Sequence, residues 1–233
     1  MSTQTTQNVK LKIKIRGVEI PPKAVLYGPN GAGKSLIIRG ILARLVGRGY
    51  NGGDMAAMLV DVEGAASSAV KVDEASFTQH GVKIFDRDVV SFSDWDEVAI
   101  ADPEIASRLY VDVYYDKFYD PDRGWRPLSE LSYGERRRLA IEAALAADAD
   151  VVLIENFEAG LHVDAVVDLV KQIAESDAVV VLETHSGLTL KAAQRYGVPM
   201  FYVEPLARLK PIERLDDSEM FARELSAWNA IVV

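Results

Sequence analysis

Residues 28–35 decide the fold, and they read Gly28-Pro29-Asn30-Gly31-Ala32-Gly33-Lys34-Ser35. The stretch follows apolar residues 24–27 and precedes an apolar helical pattern, which is the order strand, glycine-rich loop, helix. In such a loop, glycines turn backbone N–H groups inward around phosphates, lysine reaches the β and γ phosphates, and the next hydroxyl ligates Mg²⁺. The sequence therefore predicts a nucleoside triphosphate site, with phosphates bound by Asn30, Gly31, Ala32, Gly33, Lys34, Ser35 and Leu36.

Length and composition narrow the class of protein. The chain has 233 residues, of which 49% are hydrophobic, so it can bury a sizeable core, and we expect one α/β domain over residues 1–233. A formal charge of −9 argues against indiscriminate binding to DNA or anionic membranes. The absence of cysteine excludes disulfides and thiolate metal sites.

The start of the chain and its apolar runs bear on location. Residues 1–8 are polar, lack the basic-then-apolar order of a signal peptide and are expected to be disordered. No apolar run approaches the roughly 18 residues of a membrane span. The sequence therefore predicts a cytoplasmic protein without membrane insertion.

Residues 9–16 alternate apolar and basic side chains with period two, which predicts a half-buried strand. Its polar face carries Lys10, Lys12, Lys14 and Arg16. A solvated, charge-protected sheet edge is the favoured interpretation. The alternative is a patch for an acidic partner or for DNA.

The middle of the chain predicts two smaller lobes. Short β-like pieces between residues 57 and 92, such as 58–62, 69–72 and 82–85, predict an antiparallel sheet lobe. Asp102 and Pro103 supply a cap and a first-turn proline for a helix to about residue 119. Residues 93–148 are then a helical lobe, and its clustered aromatic side chains are interpreted as packing residues rather than as a base-stacking surface.

The second half alternates short apolar strands with amphipathic helices, which predicts a mostly parallel sheet. A helix is predicted at 34–45, and another follows residues 131–135 and ends at about residue 147. Further strands are predicted at 151–154, 178–182 and 200–203, and further helices at 163–174, 188–196 and 218–228. Residues 206–233 either pack on the core or dock a partner. Packing is favoured because the predicted last helix carries an apolar stripe.

Two strand tips carry polar side chains. Glu155 ends the apolar strand 151–154, where a carboxylate beside a phosphate loop can hold Mg²⁺; otherwise it is a surface charge. His185 follows strand 178–182 and could meet a γ-phosphate, although alone it would be an ordinary loop histidine.

Together these segments resemble the ABC-type ATPases, and the resemblance covers most of the chain. Residues 131–135, Leu-Ser-Tyr-Gly-Glu, resemble the L-S-G-G-[QE] signature, and residues 155–162 resemble the Walker B and D-loop run. The sequence of residues 155–162 resembles that of the RecF, Rad50 and OLD-like branch more than that of transporter cassettes. The long coiled coil of Rad50 is absent, because the sequence has no heptad stretch of the required length. The fold that this resemblance implies is a P-loop NTPase with a mostly parallel sheet, an antiparallel β lobe and a helical signature lobe.

The resemblance also implies roles for individual residues. Ser35 and Glu155 would hold Mg²⁺, with Gln79 as a further metal ligand or else a surface glutamine. His185 falls at the position of the switch histidine. Ser132 and Gly134 would contact the γ-phosphate of ATP bound to the opposite subunit, so that ATP joins two copies in a homodimer.

The sequence departs from the family pattern at the site of hydrolysis. Asn156 stands where the family has its catalytic glutamate, and an amide has no proton affinity near neutrality, so it could orient water but not act as a general base. Tyr133 replaces the second signature glycine, and Glu155 replaces an aspartate. We expect slow ATP hydrolysis, with Glu158 or His185 as alternative bases.

Three functions remain open from the sequence. The first is an ATPase head that dimerises on Mg-ATP and switches an unknown protein partner in DNA repair, chromosome maintenance or genome defence. The second is a nucleotide-sensing scaffold with little hydrolysis, favoured by Asn156. The third, a transporter ATP-binding subunit, is disfavoured because no aromatic residue precedes Tyr27 to stack on adenine.

Overall fold

The structure is a computed structural model, and its secondary structure covers most of the sequence motifs. The described residues are 11–46, 54–64, 66, 69–72, 111–112, 117–120, 122–127, 130–146, 149–215, 222 and 226. The predictions for residues 1–8 and 82–85, and for Gln79, lie outside these ranges.

The described residues form twelve strands and five helices. The strands are β1 (Lys12–Ile15), β2 (Val18–Ile20), β3 (Lys23–Tyr27), β4 (Val60–Glu63), β5 (Ala69–Val72), β6 (Val111–Asp112), β7 (Lys117–Asp120), β8 (Gly124–Pro127), β9 (Val151–Ile154), β10 (Val179–Thr184), β11 (Met200–Glu204) and β12 (Arg208–Ile212). The helices are α1 (Lys34–Val46), α2 (Asp54–Ala57), α3 (Tyr133–Ala146), α4 (Val163–Glu175) and α5 (Gly187–Arg195).

The central sheet has the strand order β12-β11-β3-β10-β9-β5. Its pairs are parallel except for the last hairpin, in which β11 and β12 run antiparallel. This arrangement confirms the predicted mostly parallel sheet. Because β10 lies between β3 and β9, the carboxyl ends of these three strands meet at one edge, where the phosphate loop begins.

Helices cover both faces of the central sheet, as a buried parallel sheet requires. Leu153 and Leu26 face the side covered by α1, whose Ile37 and Ile41 are fully buried. Their neighbours along the strands face the opposite side. That side is covered by apolar residues of α3, α4 and α5, which include Ile141, Val166, Leu169, Val170, Ile173 and Leu190.

A second sheet confirms the predicted antiparallel lobe but changes its membership. Strand β1 pairs antiparallel with both β2 and β4. Residues 69–72, which were predicted to belong to this lobe, form β5 and pair parallel with β9 in the central sheet. All four of these residues are buried, which suits a strand of the core sheet rather than one of a solvated lobe.

The helix predicted from residue 102 to about residue 119 is wrong in its described part. Residues 111–112 and 117–120 are β6 and β7, which form a three-stranded antiparallel sheet with β8. Gly124, with φ of 73°, ends the tight turn that returns the chain from β7 to β8. The predicted helical lobe thus contains this sheet in addition to α3.

Part of the tail packs on the core. Residues 208–212 form the edge strand β12, and Ile212 and Leu215 are buried in the core. Of the helix predicted at residues 218–228, only residues 222 and 226 are described, and both are helical. The favoured alternative of a packed tail therefore holds for residues 208–215.

The predicted cationic face of β1 is balanced by acidic neighbours. In the strand register, Lys14 lies opposite Asp61 and Glu19, and Lys12 lies opposite Glu63. The Lys14 Nζ is 2.5 Å from Glu63 Oε1, and this hydrogen bond raises the pKa of Lys14. Such alternation is expected of a solvated sheet rather than of a binding patch for nucleic acid.

Among the residues that the structure describes, no helix is both long enough and apolar enough to cross a membrane.

Candidate nucleotide-binding site

The phosphate loop follows β3 directly and leads into α1. Gly31 and Gly33 have φ of 78° and 106°, values that L side chains rarely adopt, so the loop needs glycine at both positions. A Cβ on Gly28 would lie 2.6 Å from the carbonyl oxygen of Val203 in β11. The backbone N–H of Ala207 also donates to Ala32 O at 3.0 Å. The loop is therefore held between α1 and the β11–β12 hairpin.

Lys34 begins α1 and is buried, with 4% of its surface exposed. Its Nζ donates to the carbonyl oxygens of Gly28 at 2.9 Å and Pro29 at 3.1 Å. His185 Nδ1 lies 3.5 Å from the same nitrogen. Burial lowers the pKa of Lys34, and nearby carboxylates oppose that shift. A loop with this cation at a helix N-terminus suits an anionic phosphate ligand.

Ser35 contacts a carboxylate at the end of the neighbouring strand. Its Oγ donates to Glu183 Oε1 at 3.1 Å, and the backbone N–H of Asn156 donates to the same oxygen at 3.3 Å. Glu183 is only 2% exposed, and its Oε2 has no hydrogen-bond partner among the residues that the structure describes. Burial raises the pKa of Glu183, and the Ser35 hydrogen bond opposes this.

Sequence reasoning had not given Glu183 a role. Its position depends on strand pairing, because β10 runs parallel to β3 with Glu183 opposite Leu26 and Thr184 opposite Tyr27. The one local indication was an acidic residue at the end of the apolar run 179–182. Because ligands bind at the carboxyl ends of strands in such sheets, a charged residue at this strand end is a candidate ligand-binding residue.

Glu155 takes a different place from the one predicted beside Ser35. Its Oε1 lies 3.1 Å from the Nζ of Lys71 on β5 and 3.7 Å from the Nε of Arg39 on α1. Lys71 and Glu155 are both buried, with 7% and 11% of their side chains exposed. Burial raises the pKa of Glu155, and the charge of Lys71 opposes that rise. The assignment of Glu155 as a Mg²⁺ ligand stays a prediction.

The side chains at the loop offer oxygen ligands of the kind that Mg²⁺ takes in nucleotide sites. Among the described residues, no group of three or more His, Cys, Asp or Glu side chains could hold a metal by itself. Mg²⁺ in nucleotide sites does not need such a cage, since it keeps waters and takes one or two carboxylates together with substrate phosphates. The Ser35 hydroxyl and the unpartnered oxygen of Glu183 supply oxygen ligands of this kind.

Glu158 fixes the segment that carries His185. Its Oε2 accepts the hydroxyl of Thr184 at 2.6 Å, and its Oε1 accepts the backbone N–H of His185 at 2.9 Å. Thr184 Oγ1 accepts in turn from the N–H of Ser186. The structure thus brings together Lys34, Glu158 and His185. Both oxygens of Glu158 are engaged in holding the strand tip.

Asn156 has a left-handed backbone, with φ of 46°. Asparagine tolerates this conformation better than most residues, because its short polar side chain can bond locally. The guanidinium of buried Arg137, on α3, donates to the carbonyl oxygens of Glu155 and Asn156. The backbone of Asn156 is therefore under a constraint that was not visible in the sequence.

The signature segment forms the start of α3. Ser132 and Glu135 make a capping box, in which Ser132 N–H donates to Glu135 Oε2 at 2.7 Å and Glu135 N–H donates to Ser132 Oγ at 3.3 Å. A Cβ on Gly134 would lie 2.2 Å from the carbonyl oxygen of Gly160. Among the described contacts, none joins Ser132 or Gly134 to the phosphate loop, and their role toward an opposite subunit stays a prediction.

Comparison with protein families and solved structures agrees with this geometry. Residues 50–191 match the family model described as "AAA domain, putative AbiEii toxin, Type IV TA system". A curated relative from Streptococcus pneumoniae, named "Putative ABC transporter ATP-binding protein", is 24% identical over 213 residues and 86% of this chain. The chain spans 36% of the length of that relative.

Solved structures share the fold at low sequence identity. The CbiO1 protein of Clostridium perfringens, part of the ABC transporter complex CbiONQ, has a TM-score of 0.51 and 16% identity, covering 86% of each chain. A nucleotide-free ATP-binding cassette from an ABC transporter scores 0.52 at 14% identity over 93% and 94% of the two chains. A dimeric post-hydrolysis cassette with ADP and Pi scores 0.50 at 16% identity over 88% and 99%.

Proposed function

Because the chain belongs to this family of AAA-type P-loop ATPase domains and has the fold of ABC ATPases, we propose that it binds Mg-ATP, dimerises around it and hydrolyses it slowly. The cycle would switch a protein partner. The observation that carries the proposal is the contact of Lys34 and Ser35 with the tip of β10, where His185 and Glu183 lie beside the loop.

ATP binding rests on the charge and shape of the loop. Nζ of Lys34 contacts only carbonyl oxygens and an imidazole nitrogen among its described hydrogen bonds, so it can turn to a phosphate without breaking an ion pair. The first turn of α1 carries no acidic residue that would oppose an anion at this helix terminus. Both features favour a phosphate ligand.

Slow turnover rests on Asn156. General-base catalysis contributes about 10² to 10⁴ in rate, and the amide of Asn156 cannot supply it. Glu158, the nearest candidate on the same segment, has both carboxylate oxygens engaged with Thr184 and His185. An ATP-bound dimer of long lifetime follows from these two observations.

The dimer would bring the start of α3 to the nucleotide of a second copy. Ser132 is exposed at that helix N-terminus, and its partial positive charge suits a γ-phosphate. One of the structural neighbours was solved as a dimer with ADP and Pi.

For the biological role, we favour the RecF, Rad50 and OLD-like branch and a partner in DNA repair, chromosome maintenance or genome defence. The run 155–162 supports the branch, and the family description mentions a toxin of a toxin–antitoxin system. The names of the relative and of the solved cassettes favour the second candidate, a transporter ATP-binding subunit. A nucleotide-sensing scaffold is the third and differs from the first only in turnover.

The deciding experiment is solution mass by light scattering, without nucleotide and with Mg-ATP, combined with phosphate release. We expect a shift from the 25.6 kDa of one chain to twice that mass with Mg-ATP, and slow release of phosphate. Lys34→Ala is the control, because it should lose both responses. A protein that stays monomeric with saturating Mg-ATP would contradict the dimer, and a dimer without measurable turnover would favour the scaffold.

A further inference from the structure

Two buried carboxylates stand at neighbouring strand tips, Glu155 at the end of β9 and Glu183 near the end of β10. Building on the proposed function, we infer that Glu183, and not Glu155, is the carboxylate that binds the nucleotide-associated Mg²⁺ in this protein. Glu155 instead belongs to a structural ion pair. The inference reassigns the metal ligand that the family resemblance implied.

The contact with Ser35 carries the inference. A carboxylate that shares a Mg²⁺ ion directly with a hydroxyl lies beside that hydroxyl, and the carboxylate 3.1 Å from Ser35 Oγ belongs to Glu183. The strand order explains this contact, because β10 is the direct neighbour of β3 while β9 is one strand further away. Glu155, at the end of β9, lies outside the described contacts of Ser35.

The burial and hydrogen bonds of Glu183 support the same assignment. Glu183 is 2% exposed, and its Oε2 has no partner among the described residues, although a buried carboxylate oxygen normally has one. A divalent cation at that oxygen would compensate the buried charge. Ser35 and Asn156 hold only the other oxygen, Oε1, so Oε2 remains available to a ligand.

Glu155 already has compensating charges. Lys71 Nζ and Arg39 Nε lie within 4 Å of its Oε1. A Mg²⁺ ion at Glu155 would face both cations at close range in a buried site, where like charges repel strongly. Near Glu183, Lys34 is the cation that acts on the carboxylate, and in a nucleotide complex this lysine would turn to the phosphates.

The test compares nucleotide affinity with and without the metal. The probe is ATP carrying a fluorescent N-methylanthraniloyl group, titrated into the protein in Mg²⁺ or in EDTA, and the quantity measured is the affinity gain that Mg²⁺ gives. Glu183→Gln keeps an acceptor for the Ser35 hydroxyl and removes the charge. We expect the Mg²⁺ gain to fall by about ten-fold or more, as for other losses around bound metals.

The affinity in EDTA separates a metal ligand from a merely structural residue. Glu183→Gln removes a negative charge beside the phosphates, so its affinity in EDTA should equal or exceed that of the unaltered protein. A structural defect in the loop would lower affinity in both conditions. That second pattern would overturn the inference.

The matched control removes the other carboxylate together with its cation. Lys71→Met/Glu155→Gln leaves no buried charge unpaired, so it avoids the defect of a single substitution. We expect it to keep the Mg²⁺ gain of the unaltered protein. Loss of the gain in this variant, or its retention in Glu183→Gln, would overturn the inference, and if Glu183→Gln fails to fold, the double variant alone decides.

The same titration distinguishes the inference from the proposed function. If the unaltered protein does not bind the probe in either condition, the proposed function fails first. If it binds equally well with and without Mg²⁺, nucleotide binding stands and the assignment of Glu183 as a metal ligand is wrong.

Discussion

Tyr133 packs its ring against the backbone of Gly160, so closely that a Cβ on Gly160 would lie 2.2 Å from Cδ1 of the ring. Gly160 has φ of 71° and ends the turn that follows Asn156 and Glu158. The bulky signature residue therefore has a partner within its own chain. The start of α3 and the turn at residues 158–161 form one packed unit beside the candidate site.

Replacement of Gly160 by alanine tests this packing. We expect Gly160→Ala to lower the free energy of unfolding by about 1 to 3 kcal/mol, since the new methyl meets the ring and the left-handed backbone disfavours a side chain. Urea unfolding measures the change. Tyr133→Ala in the same chain should recover the steric part of the loss but not the backbone part. Equal losses in the single and double variants would contradict the contact.

A second prediction concerns turnover. Asn156→Glu should raise ATP turnover by about ten-fold or more, because it supplies the general base that the amide cannot. Phosphate release per protein under saturating Mg-ATP measures the effect. A variant that folds and binds ATP but turns over no faster would refute the explanation for slow hydrolysis.

The backbone at Asn156 calls for a matched variant. Its φ of 46° suits asparagine and aspartate better than glutamate, so Asn156→Glu carries a backbone cost that Asn156→Asp largely avoids. Asn156→Asp should therefore melt at nearly the temperature of the unaltered protein. If Asn156→Glu melts no lower than Asn156→Asp, the left-handed backbone does not disfavour glutamate at this position.

The sequence predicted where the motifs lie along the chain, because their patterns are local, but it did not predict contacts that depend on strand order. The loop at residues 28–35 and the strand tips at 155 and 185 carry their motifs within a few residues, and each lies where it was expected along the chain. Glu183 became significant only once β10 was known to pair with β3. No local pattern reports which two strands will be neighbours.

The burial of Lys71 also depends on a contact between strands that the local sequence does not predict. The sequence predicted residues 69–72 as a strand of the antiparallel lobe and gave no sign that Lys71 is buried. In the structure it is buried, because the charge that accepts it comes from Glu155, more than 80 residues further along the chain. The hairpin of β7 and β8 was missed for a different reason, since its aromatic residues fit the spacing of a packed helix as well as the faces of a strand.

The buried pair of Lys71 and Glu155 gives a third prediction. Lys71→Met leaves the Glu155 carboxylate buried, with the half-exposed Arg39 as its remaining ion-pair partner among the described residues, and we expect a loss of about 3 kcal/mol in the free energy of unfolding. Lys71→Met/Glu155→Gln should recover most of that loss, because both charges are then absent. Denaturant unfolding of the two single variants and the double variant completes the cycle. An additive cycle would show that the two side chains do not interact.

The last prediction separates two roles of Glu158. Its carboxylate holds Thr184 and the N–H of His185, so a purely structural role predicts that Glu158→Ala disturbs the strand tip and weakens nucleotide binding. Glu158→Gln keeps an acceptor for the His185 N–H, and the Thr184 hydroxyl can rotate to accept the new NH₂ group. We therefore expect the affinity of Glu158→Gln for ATP to stay within about three-fold of that of the unaltered protein, because the hydrogen bond to the His185 N–H is kept.

Turnover of Glu158→Gln then decides whether the carboxylate is also the base. If Glu158 takes the proton from water, turnover should fall by about 10² or more while ATP affinity is retained. His185→Ala serves as the comparison, since removal of the imidazole beside Lys34 tests the other candidate base without altering the Glu158 contact to the backbone N–H. Retained turnover in both variants would exclude these two residues as the base and leave water activation to the nucleotide itself or to a second copy of the chain.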